Sequence, residues 1–426
     1  MAITYFKKHQ DIFVALYAAL ITFLTYATVY AFRKPFSAGT YHDMPAIFGL
    51  AYKDALVISQ VLGYMFSKFY GIKFIAELKH FGRGKLILLL IGISWLALLL
   101  FAIVPAPYNI LFLFINGFPL GIIWGIVFSF VEGRKASDFI GAALAVSFIF
   151  SSGFVKSVGK TLMVQFHLKE LWMPFITGLV FAVPMIILVW LLEKIPPPTA
   201  EDKAQRVTRA SLNRAERKTF FKNFSIGLVL LLVVYVILTV FRDIRDNFAA
   251  DMFREMGFGK NAAVFTETET PISIIVLLLI SSMILIKNNA RAFFITHYFI
   301  ITGFMIAGIS SWLFLHQHLA PLYWITLVGL GLYVGYIPFN CILFDRMIAT
   351  YRYTGNVGFL MYVADSFGYL GSVGVIMLKT FFSGHMEWSV LYGNGVILFS
   401  IIGIIGTAIA LYYFKLKYNK LNIVYA

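Results

Sequence analysis

Seven of the 35 lysines and arginines lie inside stretches apolar enough to sit in a lipid bilayer: Arg33, Lys34, Lys68, Lys73, Lys156, Arg242 and Arg245. So do the carboxylates Asp243, Asp246, Asp251, Glu267, Glu269 and Asp365. An ionisable group at that depth costs roughly 2.5–3.5 kcal/mol on insertion scales, so it turns to the protein interior and marks a functional candidate. With a rise of about 1.5 Å per helical residue, Lys68 lies roughly 21 Å along its helix from Asp54, and Arg242 roughly 27 Å along its helix from Phe224. Both therefore approach the middle of long, tilted helices. Cations converging in a low-dielectric cavity repel one another, and an anion between them relieves the repulsion. Guanidinium forks suit the oxygens of phosphate or carboxylate through bidentate, charge-assisted bonds. Arg33, Lys34, Lys68, Arg242, Tyr64 and Lys156 are thus the expected binding residues for a small anionic solute. Lys73 is read as snorkelling toward the cytoplasmic surface. Lys156 has two readings, a site residue or the partner of a carboxylate.

The run Phe241-Arg242-Asp243-Ile244-Arg245-Asp246-Asn247 is the densest polar cluster within a span. Helical spacing sets Arg242 on one face with Arg245 and Asp246, while Asp243 points elsewhere. Asp243, Arg245 and Asp246 read either as an ion-pair ladder or as coupling and gating groups, together with Glu267, Glu269 and Asp365. Of these, Asp365 and Glu267 are the carboxylates expected to carry a coupled proton, because burial favours the protonated form.

The elements holding these residues are membrane helices. Of the 426 residues, 60% are hydrophobic and 13% charged, with mean hydropathy +0.83, against about 25% charge in a soluble domain. A crossing needs about 20 apolar residues. Six spans are expected at 12–40, 54–76, 86–105, 108–131, 138–162 and 172–193. Six more follow at 224–253, 262–286, 292–315, 321–346, 356–382 and 389–415. The run after Lys7 and Lys8 is too long for a cleaved signal and is read as a retained first helix. Orientation tests the count. With the N-terminus inside, 22 cations fall in inner segments and six in outer ones, Lys53 among the latter. This is the positive-inside asymmetry, and it puts both termini in the cytoplasm. The net charge of +15 then reflects orientation and not a nucleic-acid partner; membrane lipid is the partner.

Segment 195–222 opens on Pro196, Pro197 and Pro198 and becomes charged. It reads as a cytoplasmic linker between two six-helix bundles, 1–194 and 223–426. An all-α membrane protein of twelve helices in two such bundles resembles the major facilitator superfamily, whose sites lie at mid-membrane. One chain suffices for that architecture, so a monomer is expected.

Several strings narrow the resemblance. Tyr30-Ala31-Phe32-Arg33-Lys34-Pro35-Phe36 is similar to the Arg-Lys-Asn-Phe signature of the organophosphate:phosphate antiporters, the glycerol-3-phosphate and hexose-phosphate transporters. Gly63-Tyr64-Met65-Phe66-Ser67-Lys68-Phe69 resembles that family's Tyr-Gly-Phe-Ser-Lys-Phe. Phe367-Gly368-Tyr369-Leu370-Gly371 resembles its Phe-Gly-Tyr-Leu-Gly, and Gly117, Gly121 and Gly125 match the glycine spacing of its fourth helix. The resemblance implies that Arg33 and Arg242 bind phosphate and that Lys68 lies near the substrate. Where that family carries a fifth-helix histidine, this chain reads Phe148-Ile149-Phe150-Ser151-Ser152-Gly153, with Lys156 one turn beyond. This marks a divergent branch.

The expected function is secondary active transport of an anionic solute, phosphorylated or carboxylated, across the cell (inner) membrane by alternating access. Tyr64, Tyr336, Asn340 and Tyr369 would shape its cavity. The alternative is a transporter-like sensor of an anionic ligand. No nucleophile motif or phosphate-cradling glycine loop suggests an enzyme. His316 and His318 form a pair in a short external loop without further ligands, so neither cofactor nor metal is expected.

Overall fold

A computed structural model of the chain describes residues 2–47, 49–76, 82–131, 134, 137–198, 214–352, 358–382 and 387–425. The first six helices are α1 (Ala2–Val29), α2 (Tyr52–Ala76), α3 (Arg83–Ile103), α4 (Ile110–Phe128), α5 (Ser137–Gln165) and α6 (Met173–Glu193). Then come α7 (Arg214–Glu255), α8 (Val264–Ile284), α9 (Asn289–Leu315) and α10 (Pro321–Pro338). A π-helical turn, Phe339–Leu343, joins α10 to α11 (Phe344–Thr350); α12 (Gly358–Phe382) and α13 (Trp388–Tyr425) complete the chain. With α10, the π turn and α11 taken as one run, the helices correspond one for one to the twelve expected spans. Among the described residues ten are long and apolar enough to cross a membrane. The chain is an integral, multi-pass, all-α membrane protein.

The first expected span, 12–40, is corrected in one respect. It is not a single helix: α1 stops at Val29, and two short 3-10 turns, Tyr30–Phe32 and Pro35–Ala38, follow. Pro35 has no N–H to continue a helical ladder, and it restricts the backbone of the residue before it. Within the expected linker 195–222, residues 199–213 lie outside those described, and α7 already begins at Arg214.

Two compact units can be distinguished. The first comprises Met1–Val207, Asn247–Ser273 and Ile376–Gly384. In it α2 packs on α4 at backbone distance. A Cβ on Gly63 would sit 2.2 Å from the Phe114 carbonyl oxygen, and one on Gly117 would sit 2.4 Å from that of Gln60. Small residues at a lipid-embedded contact permit such approach. The outer faces of α3 and α6 present Leu89, Leu96, Val183, Ile186 and Trp190 to the exterior, as the surface of a membrane helix must.

The second unit comprises Thr208–Asp246, Ile274–Val375 and His385–Ala426. Within it α9 packs closely on α10, where a Cβ on Gly303 would lie 2.3 Å from the Gly331 carbonyl oxygen. Phe304 of α9 fills the space left by Gly403 of α13.

Candidate functional site

In the first unit the candidate residues gather around the break after α1. The N–H groups of Arg33 and Lys34 both donate to the Tyr30 carbonyl, at 3.0 and 2.9 Å. Unwinding there diverts the Phe32 and Arg33 carbonyls from the helical ladder, and buried carbonyls must find donors. Two amide side chains supply them. Asn116 of α4 donates through Nδ2 to the Phe32 carbonyl at 2.8 Å and to the Ser94 carbonyl at 2.9 Å. Gln60 of α2 donates through Nε2 to the Arg33 carbonyl at 2.9 Å and to Asn116 Oδ1 at 2.8 Å. The backbone carrying Arg33 is therefore clamped by α2 and α4.

From that backbone the Arg33 guanidinium carbon lies 3.8 Å from the centroid of the Tyr64 ring and 5.8 Å from that of Tyr30. Lys68 Nζ is 5.4 Å from the same Tyr64 ring. One aromatic face thus serves two cations, the placement expected of an electron-rich ring in a desolvated site. A guanidinium stacked on its flat face directs its N–H groups edgewise, in the plane where a carboxylate or phosphate receives them.

The two lysines flanking this centre are held by α7. Lys34 Nζ donates to Asn247 Oδ1 at 2.8 Å. Lys53 Nζ is 2.5 Å from Asp251 Oδ2 and donates to the Ser37 carbonyl at 3.2 Å. Asn247 and Asp251 are one turn apart, so one face of α7 meets both lysines. Lys53, counted with the outer segments in the sequence, is buried at the start of α2, with 3% of its surface exposed. Beyond the break, Glu170 accepts the N–H groups of Thr40 and Tyr41 at 2.8 and 2.7 Å and holds Tyr41 at its positive φ of 52°. Burial and the Glu170 carboxylate raise the Tyr41 hydroxyl well above its ordinary pKa, so it stays neutral.

Lys156 occupies a different part of the unit. It is buried on α5, its Nζ 6.0 Å from the Phe265 ring centroid. Here α5 and α8 touch closely: a Cβ on Gly153 would meet Glu269 Cγ at 2.7 Å, and Ser157 Oγ accepts the Thr266 N–H and O–H at 3.1 and 2.7 Å. Glu269 is buried at this contact, whereas Glu267 lies on the exterior. The side chain of Lys73 lies outside those described.

In the second unit Arg242 stacks on a tyrosine as Arg33 does: its guanidinium carbon is 4.4 Å from the Tyr336 ring centroid. Its buried Nε has no hydrogen-bond partner among the described residues. Tyr336 is in turn tied to Tyr235 of α7. The two rings stack with centroids 5.2 Å apart and an interplanar angle of 24°, and their hydroxyl oxygens are 3.1 Å apart. The Tyr235 hydroxyl donates to Asp365 Oδ1 of α12 at 2.5 Å. Tyr333, Tyr369 and Asp243 are further electrostatic neighbours of Arg242. Arg245 is buried and donates through Nε to the Ile325 carbonyl at 3.0 Å, which anchors α7 to the start of α10; Asp243 and Asp246 are also buried. Asn340, in the π turn, donates to the Tyr336 carbonyl at 3.2 Å.

The structure thus brings together Arg33, Tyr64 and Lys68 in one unit and Arg242, Tyr336 and Asp365 in the other. Gln60, Asn116, Asn247 (noted only as the end of the 241–247 run) and Tyr235 were not among the site residues expected from the sequence. The first three are uncharged amides in apolar helices. For Tyr235 the available signal was Asp365, a carboxylate in a span that requires a donor.

A family model described as "Family of unknown function (DUF5690)" matches residues 35–417. No curated protein matches the chain in sequence. Solved structures similar to it include the nucleoside transporter NupG, at 13% identity and TM-score 0.61, covering 94% of this chain and 99% of that one. A bacterial homolog of the human lysosomal transporter Spinster, in an inward-facing and unoccupied conformation, matches at 13% identity and TM-score 0.58, covering 96% and 97%. A D-xylose-proton symporter matches at 14% identity and TM-score 0.56, covering 92% and 97%. At such identity the likeness is one of fold, and the fold is that of the major facilitator superfamily.

Proposed function

The chain belongs to the DUF5690 family, and we propose that it is a secondary active transporter that moves a small anionic solute across the cell membrane by alternating access. The observation that supports this most is the repetition of one motif in both units: an arginine within a span, its guanidinium stacked on a tyrosine, at Arg33 on Tyr64 and at Arg242 on Tyr336. A desolvated cation is costly, and a solute that carries negative charge accounts for an arginine at this position in each unit. Stacking leaves the flat faces occupied and the N–H edges suited to a phosphate or carboxylate, so the solute is an organic phosphate, inorganic phosphate or a carboxylate. Lys68 adds a third positive charge beside Arg33. The organophosphate antiporter resemblance at Arg33, Lys68 and Phe367–Gly371 agrees with this class of solute. The names of the structural relatives, a nucleoside transporter and a sugar symporter among them, agree with transport as the activity. The distribution of lysine and arginine supports an orientation with both termini in the cytoplasm.

Purified protein in liposomes, loaded or unloaded with inorganic phosphate, is assayed for uptake of labelled phosphate, glycerol phosphate, glucose 6-phosphate and succinate. Saturable uptake of at least one, lost in Arg33→Ala and in Arg242→Ala, is the expected result. Saturable binding without flux would instead identify a sensor of the same ligand.

A further inference from the structure

We propose that the seam between α9 and α13, at its basic end, binds the headgroup of an anionic phospholipid, with Lys415, Tyr298 and Arg291 meeting the phosphate. The seam lies on the exterior of the second unit. It shares no residue with the arginine–tyrosine stacks of the proposed solute site.

Charge is unbalanced at this end of the unit. Between Glu269 and Asp345 the chain has no carboxylate, and none follows Glu387, so α9 and α13 carry no acid of their own. Lys287 and Arg291 stand at the start of α9, and Lys415, Lys417 and Lys420 in the last turns of α13. The two ends are adjacent: the Phe294 and Tyr418 rings meet edge-on, with centroids 5.7 Å apart. On the orientation that the lysine and arginine distribution supports, this end faces the cytoplasmic leaflet, where anionic lipids collect and basic pockets between helices hold their headgroups.

The lysines of α13 are used differently. Lys417 donates to the Asn223 carbonyl of α7 and lies 4.7 Å from the Phe224 ring centroid, closing a contact inside the unit. Lys415 turns to α9. Its Nζ donates to the Tyr298 hydroxyl at 2.9 Å and lies 5.4 and 6.0 Å from the Tyr298 and Phe294 ring centroids. A lysine at the end of a membrane helix ordinarily extends its ammonium into water; this one is held against a neighbouring helix. An ammonium has three N–H groups, and the bond to Tyr298 uses one. Because the Tyr298 oxygen accepts that bond, its own hydrogen is directed away from Lys415, and the residue is 49% exposed. Arg291 is exposed and stands three and seven residues before Phe294 and Tyr298, on the same face of α9. Ammonium, hydroxyl and guanidinium are the donors that the two free oxygens of a phosphodiester accept.

Deeper in the membrane the flanks of the seam are apolar and exposed. Met305 and Ile309 follow Tyr298 at helical spacing on α9, and Ile405 and Ile401 precede Lys415 at helical spacing on α13. Between them the helices stay close, a Cβ on Gly308 lying 3.0 Å from Ser400 Cβ. A phosphate with acyl chains matches both parts of the seam, whereas a soluble phosphate would use the basic part alone.

In the test, full-length protein is equilibrated in mixed micelles with phosphatidylglycerol or with phosphatidylcholine of the same acyl chains, and retained lipid is counted by native mass spectrometry. The expected result is about one phosphatidylglycerol per chain, held at least about fivefold more tightly than phosphatidylcholine. Lys415→Gln is expected to weaken phosphatidylglycerol about fivefold, the effect of one cation near an anionic surface. Lys415→Arg should keep it, and Lys417→Gln, with the same loss of charge, should stay within about twofold of wild type. Should Lys415→Gln not fold, Arg291→Gln decides in its place by the same criterion. Equal retention of the two lipids overturns the proposal, as do equal losses in Lys415→Gln and Lys417→Gln, which would mean diffuse surface charge. Displacement of the lipid by glycerol phosphate would mean a soluble-anion site and overturns it too. Arg33→Ala should retain the lipid as wild type does, so the lipid site and the transport reading fail separately; a lipid lost with Arg33→Ala would contradict the assignment to α9 and α13.

Discussion

The guanidinium carbon of Arg33 lies 3.8 Å from the centre of the Tyr64 ring, which also has Lys68 Nζ 5.4 Å from it. This ring orients an arginine that would otherwise sweep several rotamers. Replacing it with Leu removes a desolvated cation–π contact worth about 0.5–2 kcal/mol, so anion affinity is expected to fall about two- to thirtyfold. Tyr64→Phe keeps the aromatic face and should stay within about threefold of wild type. Equilibrium binding of the anion that the wild type transports checks both values.

Asn116 holds the Phe32 and Ser94 carbonyls and accepts from Gln60. Asn116→Leu keeps the branching at Cγ but removes the amide, and so strands three buried polar groups. Each costs about 1–3 kcal/mol when left unsatisfied. The expected outcome is a clear drop in thermal unfolding temperature in detergent, accompanied by loss of Arg33-dependent binding. A variant as stable as wild type would show that the break after α1 does not depend on this amide.

The sequence made some of this legible and hid the rest. Apolar runs and the distribution of lysine and arginine were enough for twelve spans, because hydrocarbon thickness and the positive-inside rule act on every helix in the same way. Arg33, Lys68, Arg242 and Asp365 were visible because charge in a span has no ordinary excuse. Gln60 and Asn116 were not, because their partners are carbonyls that become available only once the helix unwinds at Tyr30. The Lys53–Asp251 pair joins residues 198 apart in the chain, and nothing local connects them. Glu267 and Glu269 looked equivalent on paper; the phase of α8 puts the first on the exterior and the second against Gly153.

Lys53 and Asp251 form a buried ion pair, with side chains 4% and 9% exposed. Removing one partner strands a desolvated charge, so Asp251→Leu is expected to destabilise by about 3–5 kcal/mol. The double variant Lys53→Met/Asp251→Leu should recover most of that loss, since paired apolar replacements of a buried ion pair are often neutral or better. Unfolding temperatures of the two single variants and the double variant check this. Equal losses in the double and the sum of the singles would mean the pair has no mutual energy.

Gly63 precedes Tyr64 at the closest approach of α2 to α4. A methyl group there would meet the Phe114 carbonyl oxygen at 2.2 Å, and neither backbone can yield without moving a helix. Gly63→Ala is expected to lower folded yield severely, or to give a protein that binds anion weakly because Tyr64 has shifted. A Gly92→Ala control, where a methyl group meets no atom within 4 Å, should express and bind as wild type. Size-exclusion profiles and binding read both.

The central claim is that Arg33 and Arg242 are both ligands of a transported anion. It is tested most directly by initial uptake rates of phosphate, glycerol phosphate, glucose 6-phosphate and succinate into liposomes containing wild type, Arg33→Lys or Arg242→Lys. Lysine keeps the charge but not the bidentate fork. The account predicts saturable wild-type uptake of at least one of these anions and a loss of about tenfold or more in each variant, since a charge-assisted bond contributes about 1.5–3 kcal/mol. Wild-type uptake that neither substitution alters, or no uptake of any anion by well-folded wild type, would contradict it.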